Sequence, residues 1–204
     1  MIRRWLATMV LAGLASATVA PQAVLAQAKS ERSEFLKSVR ERDGNTATEL
    51  LNRPGTVVVN TREFTTGETA LHIVTERRDL TWLKWLLGKG ASPDPRNKAG
   101  ETPLQLAANL GWVDGVEALV GAGAAVDERN NLGETALIAA VHRRDLALVR
   151  SLLKAGADPE RTDNSGRSAK TYADLMGPGP MKSVIDDTMS EQAARKAMTY
   201  GPGA

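Results

Sequence analysis

The sequence predicts an all-α fold, a solenoid of stacked helix-turn-helix units, and three observations predict it. First, Gly67, Gly100, Gly133 and Gly166 stand 33 residues apart. Second, three of them open the same phrase: Gly67-Glu68-Thr69-Ala70-Leu71, Gly100-Glu101-Thr102-Pro103-Leu104 and Gly133-Glu134-Thr135-Ala136-Leu137; Gly166-Arg167-Ser168-Ala169 is a worn copy. Third, each copy continues with an apolar stretch, a polar break and a second apolar stretch, closing at Gly90-Ala91, Gly123-Ala124 and Gly156-Ala157. A fixed period of this length is the signature of a repeat stack. Stacked units build an extended surface rather than a cleft, which points to binding of another macromolecule.

Taken in chain order, residues 1–28 read as a cleaved export signal. Arg3-Arg4 supply the positive start, Trp5 to Ala20 carries no charge, and Val24-Leu25-Ala26 and Ala26-Gln27-Ala28 are both small-residue cleavage patterns. An uncleaved anchor is the rival reading, because the uncharged stretch is long enough to span a bilayer. It is diluted by Thr8, Ser16, Thr18, Pro21, Gln22 and Gln27. The chain has no Cys, so lipidation at a signal Cys is excluded. The expected destination is a bacterial periplasm, with no membrane contact after cleavage.

Residues 29–204 are expected to form one domain. Glu34–Asp43 and Thr46–Asn52 read as a helix pair within an N-terminal cap or degenerate repeat over 30–66, apolar at Phe35, Leu36, Val39, Leu50 and Leu51. Full repeats follow at 67–99, 100–132 and 133–165. In each, a Thr or Ser hydroxyl (Thr69, Thr102, Thr135, Ser168) is placed to cap the first helix. Pro103 takes a first helical position, where its missing N–H costs nothing, and Gln105 completes a capping box with Thr102. Leu71, Ile73, Leu104, Leu106 and Leu137 are expected to face neighbouring helices. Leu83, Leu86 and Leu87 recur as Val116, Leu119 and Val120 and as Val149, Leu152 and Leu153, a helical periodicity. Gly177-Pro178-Gly179-Pro180 interrupts the pattern, and Met181 to Met198 reads as a polar helix that ends a partial repeat over 166–204. Terminal units of a stack need such a polar outer face.

The phrase Thr102-Pro103-Leu104-Gln105-Leu106-Ala107, at this period, resembles the ankyrin repeat, clearly over 67–173 and weakly over 30–66. The resemblance implies projecting hairpin-like loops at Ser92–Ala99, Ala125–Leu132 and Asp158–Ser165, and identifies His72 as the repeat's structural His. The family carries Gly where the first helix ends, because that residue is left-handed. Gly111 keeps it, whereas Arg78 and Arg144 replace it, at about 1 kcal/mol of backbone strain each. Asp79 and Asp145 follow and are placed to cap the second helices, and Trp112 occupies their column. Trp82 and Trp85, three apart, are read as local packing on the convex back rather than as an aromatic anchor.

The resemblance also implies a partner-binding face made of loop tips and exposed first-helix residues. Carried over by repeat position, it comprises Glu68, Glu76 and Arg77; Lys98, Glu101, Asn109 and Leu110; Asn131, Leu132, Glu134, His142 and Arg143; and Asn164, Ser165 and Arg167. Glu68, Glu101 and Glu134 form one column, ended by Arg167, and Arg77, Leu110 and Arg143 form another. At about 10 Å between units, like charges in water repel by only about 0.4 kcal/mol, so the Glu column is tolerable. Leu110 and Leu132 are the expected apolar centres of a mixed-charge surface suited to a folded protein partner.

The residues offer little chemistry. The 204 residues include 26 Lys and Arg, 24 Asp and Glu and two His. Removing Arg3 and Arg4 with the signal leaves 24 of each sign, and a nucleic-acid binder should show a basic face. His72 and His142 are 70 residues apart without paired ligand spacing. Gly88-Lys89-Gly90-Ala91-Ser92 fails the phosphate-loop pattern, and Asp186-Asp187 is a lone acidic pair. We therefore expect no catalytic residues, no cofactor, no metal, no nucleic-acid partner and a monomer. The leading expectation is a periplasmic protein-protein interaction module. The alternatives are a periplasmic inhibitor or immunity protein masking an enzyme or toxin, by analogy alone, and a hydrolase with its site in a terminal cap, where no nucleophile–base pair stands.

Overall fold

The computed structural model describes the backbone of residues 21–54 and 58–199 and the side chains of 30–54 and 58–195. Residues 1–20 of the expected export signal lie outside the described residues. Helices α1 (Pro21–Glu41) and α2 (Gly44–Asn52) form the first unit. Three complete pairs follow: α3 (Ala70–Glu76) with α4 (Leu80–Gly88), α5 (Pro103–Leu110) with α6 (Val113–Gly121), and α7 (Ala136–His142) with α8 (Leu146–Lys154). Helices α9 (Ala169–Leu175) and α10 (Pro180–Thr199) end the stack. The first helices form one layer, α1 on α3 on α5 on α7 on α9, while α4, α6, α8 and α10 form the other. The described part is all-helical apart from one isolated bridge, Thr162 to Ser168.

Local chemistry explains why each helix starts where it does. The hydroxyls of Thr102, Thr135 and Ser168 accept from the N–H groups of Gln105, Ile138 and Thr171 at 3.3, 3.3 and 3.2 Å. The Gln105 side chain returns the bond to the Thr102 N–H at 2.9 Å, closing the capping box. Asp79 and Asp145 accept from Trp82 and Leu148 N–H, both at 3.1 Å, and so cap α4 and α8. Asp43 does the same for α2 through Thr46. The first helix therefore differs from its sequence reading: it begins at Pro21, where no breaker intervenes before Glu41, and Asp43 caps α2 instead of ending α1.

First helices end alike. Arg42, Gly111, Arg78 and Arg144 all adopt the left-handed conformation, at φ 59°, 67°, 54° and 57°. Each N–H, and that of the following residue, returns to the carbonyls of the last helical turn, as in Arg78 N to Thr75 O at 2.9 Å and Asp79 N to Val74 O at 3.0 Å. This shared turn shows that α1–α2 is a repeat in its own right, offset from the next by 36 residues rather than 33.

The core runs unbroken through the stack, with Phe35, Leu50, Leu71, Leu83, Leu86, Leu104, Leu119, Leu137, Leu148 and Leu152 fully buried. Each such side chain contributes about 1.5–3 kcal/mol. Ile185 of α10 is fully buried against the end of the stack, with Met181, Val184 and Met189 partly buried beside it. Leu106 is only half-buried; it sits in a column with buried Ile73 and Ala139 and half-buried Tyr172 along the open side of the first helices.

Two buried polar side chains tie units together. His72 Nδ1 accepts from the Thr69 N–H at 3.2 Å, which leaves the proton on Nε2 to be donated to the Glu101 carbonyl at 3.0 Å. Gln105, one period on, donates to the Glu134 and Glu128 carbonyls at 2.9 and 2.8 Å. Loop tips are laddered too: Asn131 Nδ2 donates to the Lys98 carbonyl and Asn164 Nδ2 to the Asn131 carbonyl, both at 3.0 Å. In the last loop burial raises the Asp163 carboxyl, but hydrogen bonds from the Tyr172 hydroxyl, Ser165 and the Arg167 N–H outweigh it and hold the group well below the usual carboxylate range.

Candidate protein-binding face

The equivalence of Arg42, Arg78, Gly111 and Arg144 sets the columns of the open face. The position of Glu68, Glu101 and Glu134 is filled by Arg32 in the first unit and Arg167 in the last. The position of Glu76, Asn109 and His142 is filled by Arg40 and Leu175. The face is therefore acidic in its middle and basic at both ends of the first column. Between the columns lies the partly apolar floor of Ile73, Leu106, Ala139 and Tyr172.

Residues of the two columns meet within each unit, with different chemistry. Glu68 faces Glu76; burial and then the Glu76 charge push the Glu68 carboxyl above its ordinary value. Asn109 Nδ2 donates to Glu101 Oε1 at 2.8 Å. His142 Nδ1 lies 3.8 Å from Glu134 Oε1, and its ring meets Tyr172 edge-on, with centroids 4.3 Å apart. One geometry thus presents a like-charge pair, a carboxylate hydrogen-bonded by an amide and a His–carboxylate pair along the stack.

A family model for ankyrin repeats (three copies) matches residues 35–130 and 71–163. The chain belongs to the ankyrin-repeat family. No curated protein matches it. Ankyrin repeats are protein–protein interaction modules and are typically non-catalytic, and the open face of this ankyrin stack is where the sequence places its candidate residues.

The ankyrin face holds those residues unequally. Glu68, Glu76, Glu101, Asn109, Glu134 and His142 lie together as described. Leu132 stands out at a loop tip, 65% exposed, and Arg167 is exposed at the far end. Arg77 lines the hollow that holds Glu68 and Glu76, but its guanidinium points back to α1 rather than to these acids. Its guanidinium donates to the Val39 and Arg40 carbonyls of α1 and to Asp79, and lies over the Trp82 ring at 5.5 Å. Arg143 likewise donates to the Asn109 carbonyl at 2.9 Å. Both arginines satisfy the carbonyl end of the preceding first helix, a place that favours cations. Leu110 is half-buried against the core rather than an exposed apolar centre. Asn131 and Asn164 spend their amides on the loop ladder, and Lys98 lies over the Phe64 ring at 5.5 Å.

Four residues of this surface escaped the sequence reading: Arg32, Arg40, Phe64 and Leu175. Phe64 is 93% and Leu175 69% exposed. The signal for Arg32 and Arg40 was present in Arg42-Asp43, which repeats Arg78-Asp79 and Arg144-Asp145. At the back, Trp82 and Trp85 pack edge-on at 5.0 Å, and Trp112 is buried over Gly115.

Proposed function

We propose that this ankyrin protein is a non-catalytic binding module of the bacterial periplasm that holds one protein partner on the open face of α3, α5 and α7. The observation that carries the reading is the Glu68–Glu76 pair. Arg40 and Arg77 line the same hollow, but Arg40 pairs with Glu63 and Arg77 donates to α1 carbonyls. The two neighbouring carboxylates therefore still repel each other and are relieved by a cation from outside. With Arg77 and Arg143 engaged by backbone carbonyls, the centre of the face offers Glu68, Glu76, Glu101 and Glu134 around an apolar floor. Its natural complement is a protein surface carrying Lys or Arg beside an apolar residue. The periplasmic part of the proposal rests on Arg3-Arg4, the uncharged Trp5–Ala20 stretch and the small-residue cleavage patterns. No described helix is long and apolar enough to cross a membrane.

The test is affinity capture from periplasmic extract, beside a variant carrying Glu101→Lys, Leu132→Asp and Glu134→Lys. One protein held by the native form and released by the still-folded variant supports the reading. Equal capture by both would remove the open face from it. Stoichiometric capture of one enzyme or toxin, with loss of its activity, would mark the narrower inhibitor or immunity role.

A further inference from the structure

A groove of about 720 Å³ opens between α1 and the loop that precedes α3, outside the acidic part of the face. That size lies within the range of about 300–1,000 Å³ in which ligand sites fall. Leu36 of α1 and Phe64 of the loop supply its apolar surface, and Arg32, Arg40 and Arg62 bring three guanidinium groups to it. The acid lining it is Glu63, which Arg40 takes up. Arg62 donates to the neutral Arg96 carbonyl and forms no ion pair among the described residues. Arg32 is exposed and forms no ion pair among the described residues.

Two further features point to an occupant. Phe64 is 93% exposed, an unusual position for a large aromatic in a chain with a continuous core to bury it in. The Thr61 side chain lines the groove, is more than nine-tenths buried, and its hydroxyl has no hydrogen-bond partner among the described residues. Buried hydroxyls are normally satisfied, so hydrogen-bonding capacity is left over in the groove wall.

We propose that this groove binds an extended peptide segment of a partner protein, one that sets a carboxylate beside an aliphatic or aromatic side chain. The carboxylate lies between Arg32 and Arg62, where planar guanidinium groups accept it in forked geometry, and the apolar side chain covers Phe64 and Leu36. Arg40 lines both this groove and the hollow holding Glu68 and Glu76, so the groove continues the open face. The choice of a peptide over a free small acid rests on the interaction-module reading; the chemistry of the groove does not. The stack then grips its partner by opposite charges at two places, an acidic peptide at the first unit and a basic surface at the middle.

The experiment measures fluorescence anisotropy of labelled, end-blocked hexapeptides on the full chain, with leucine alternating with aspartate, serine or lysine. The aspartate peptide is expected to bind about tenfold tighter than the serine peptide and to weaken with added salt. Arg32→Glu with Phe64→Ser should lower that affinity about tenfold or more, with circular dichroism and Tm unchanged because both residues are exposed. The Glu101→Lys, Glu134→Lys variant should bind the aspartate peptide as well as the native chain does. Equal binding of aspartate and serine peptides, preference for lysine, or full affinity in the Arg32 and Phe64 variant would overturn the proposal. If the aspartate peptide binds as expected but periplasmic capture yields nothing, the groove stands and the module reading fails.

Discussion

In the two units that flank the middle one, the turn between helices is Arg-Asp, at Arg78-Asp79 and Arg144-Asp145, and the N-terminal unit repeats it at Arg42-Asp43. In the middle unit it is Gly111-Trp112. The backbones of these four turns agree, with φ between 54° and 67° at the left-handed residue of each. Their chemistry does not. Arg-Asp strains a side-chain-bearing residue but supplies a carboxylate that caps the next helix. Gly-Trp removes the strain and loses the cap: Trp112 makes no side-chain bond to α6. Instead its ring lies on Gly115, where Trp82 and Leu148 stand in the neighbouring units. A polar cap and an apolar lid are thus interchangeable at a helix start, provided the residue three positions on changes size with them.

The sharpest way to break the comparison is at Gly115. A Cβ there would lie 2.1 Å from Trp112 Cε3, and the ring is buried, so Gly115→Leu should cost about 3 kcal/mol by overpacking. Adding Trp112→Asp rebuilds the flanking solution and should restore most of that loss. Urea midpoints of the two variants decide it, and a double variant no more stable than the single would sink the coupling.

Next in size are the caps. Asp145→Ala should cost about 1 kcal/mol. Asp79→Ala should cost more, because Asp79 also pairs with Arg42 and Arg77, each at 3.2 Å. Thermal unfolding of both variants tests the order, which fails if the two losses are equal.

A third prediction sets His72 against Gln105, its counterpart in the middle unit. Burial pushes the His72 pKa below its ordinary value of 6.5, against the raising effect of the Glu101 carbonyl. The unfolded chain therefore takes up the proton first as pH falls. The stability from the neutral ring is complete above about pH 6.5 and declines below it. His72→Gln keeps the donor to Glu101 and should flatten the stability profile between about pH 7 and pH 5. An unchanged slope would assign the acid sensitivity to other groups.

The smallest effect is at the strained arginines. Arg144 makes no side-chain hydrogen bond or ion pair among the described residues, so Arg144→Gly should raise stability by about 0.5–1 kcal/mol. Arg78→Gly should gain less, because its guanidinium donates to the Leu110 carbonyl. Chemical denaturation of both variants measures the difference, and a loss at Arg144 would mean that the strain is repaid elsewhere.

What was legible in the chain was what depends on neighbours three or four residues away. The caps at Thr102, Thr135, Ser168, Asp79 and Asp145 join a side chain to a backbone N–H three positions on, and the left-handed sites at Arg78 and Arg144 follow from the same turn. Side-chain direction across units was not legible. Arg77 and Leu110 fill one column, yet one reaches back to α1 carbonyls and the other tucks against the core, because the preceding unit offers each a different neighbour. Leu106 looked like core because helical spacing alone does not say which side of a first helix another layer covers.

The amino-acid sequence by itself determined the period, the helix pairs and the caps, since a 33-residue spacing and local hydrogen bonds are properties of the chain alone. Only the tertiary structure decided that α1 is the first member of the stack, with Arg32 and Arg40 joining the columns. The link after α2 lengthens that spacing to 36 residues and hides the equivalence from any search at the fixed period. Packing likewise decided which charges stay free: stacking sets the guanidinium groups of Arg77 and Arg143 against orphan carbonyls and leaves Glu68 facing Glu76.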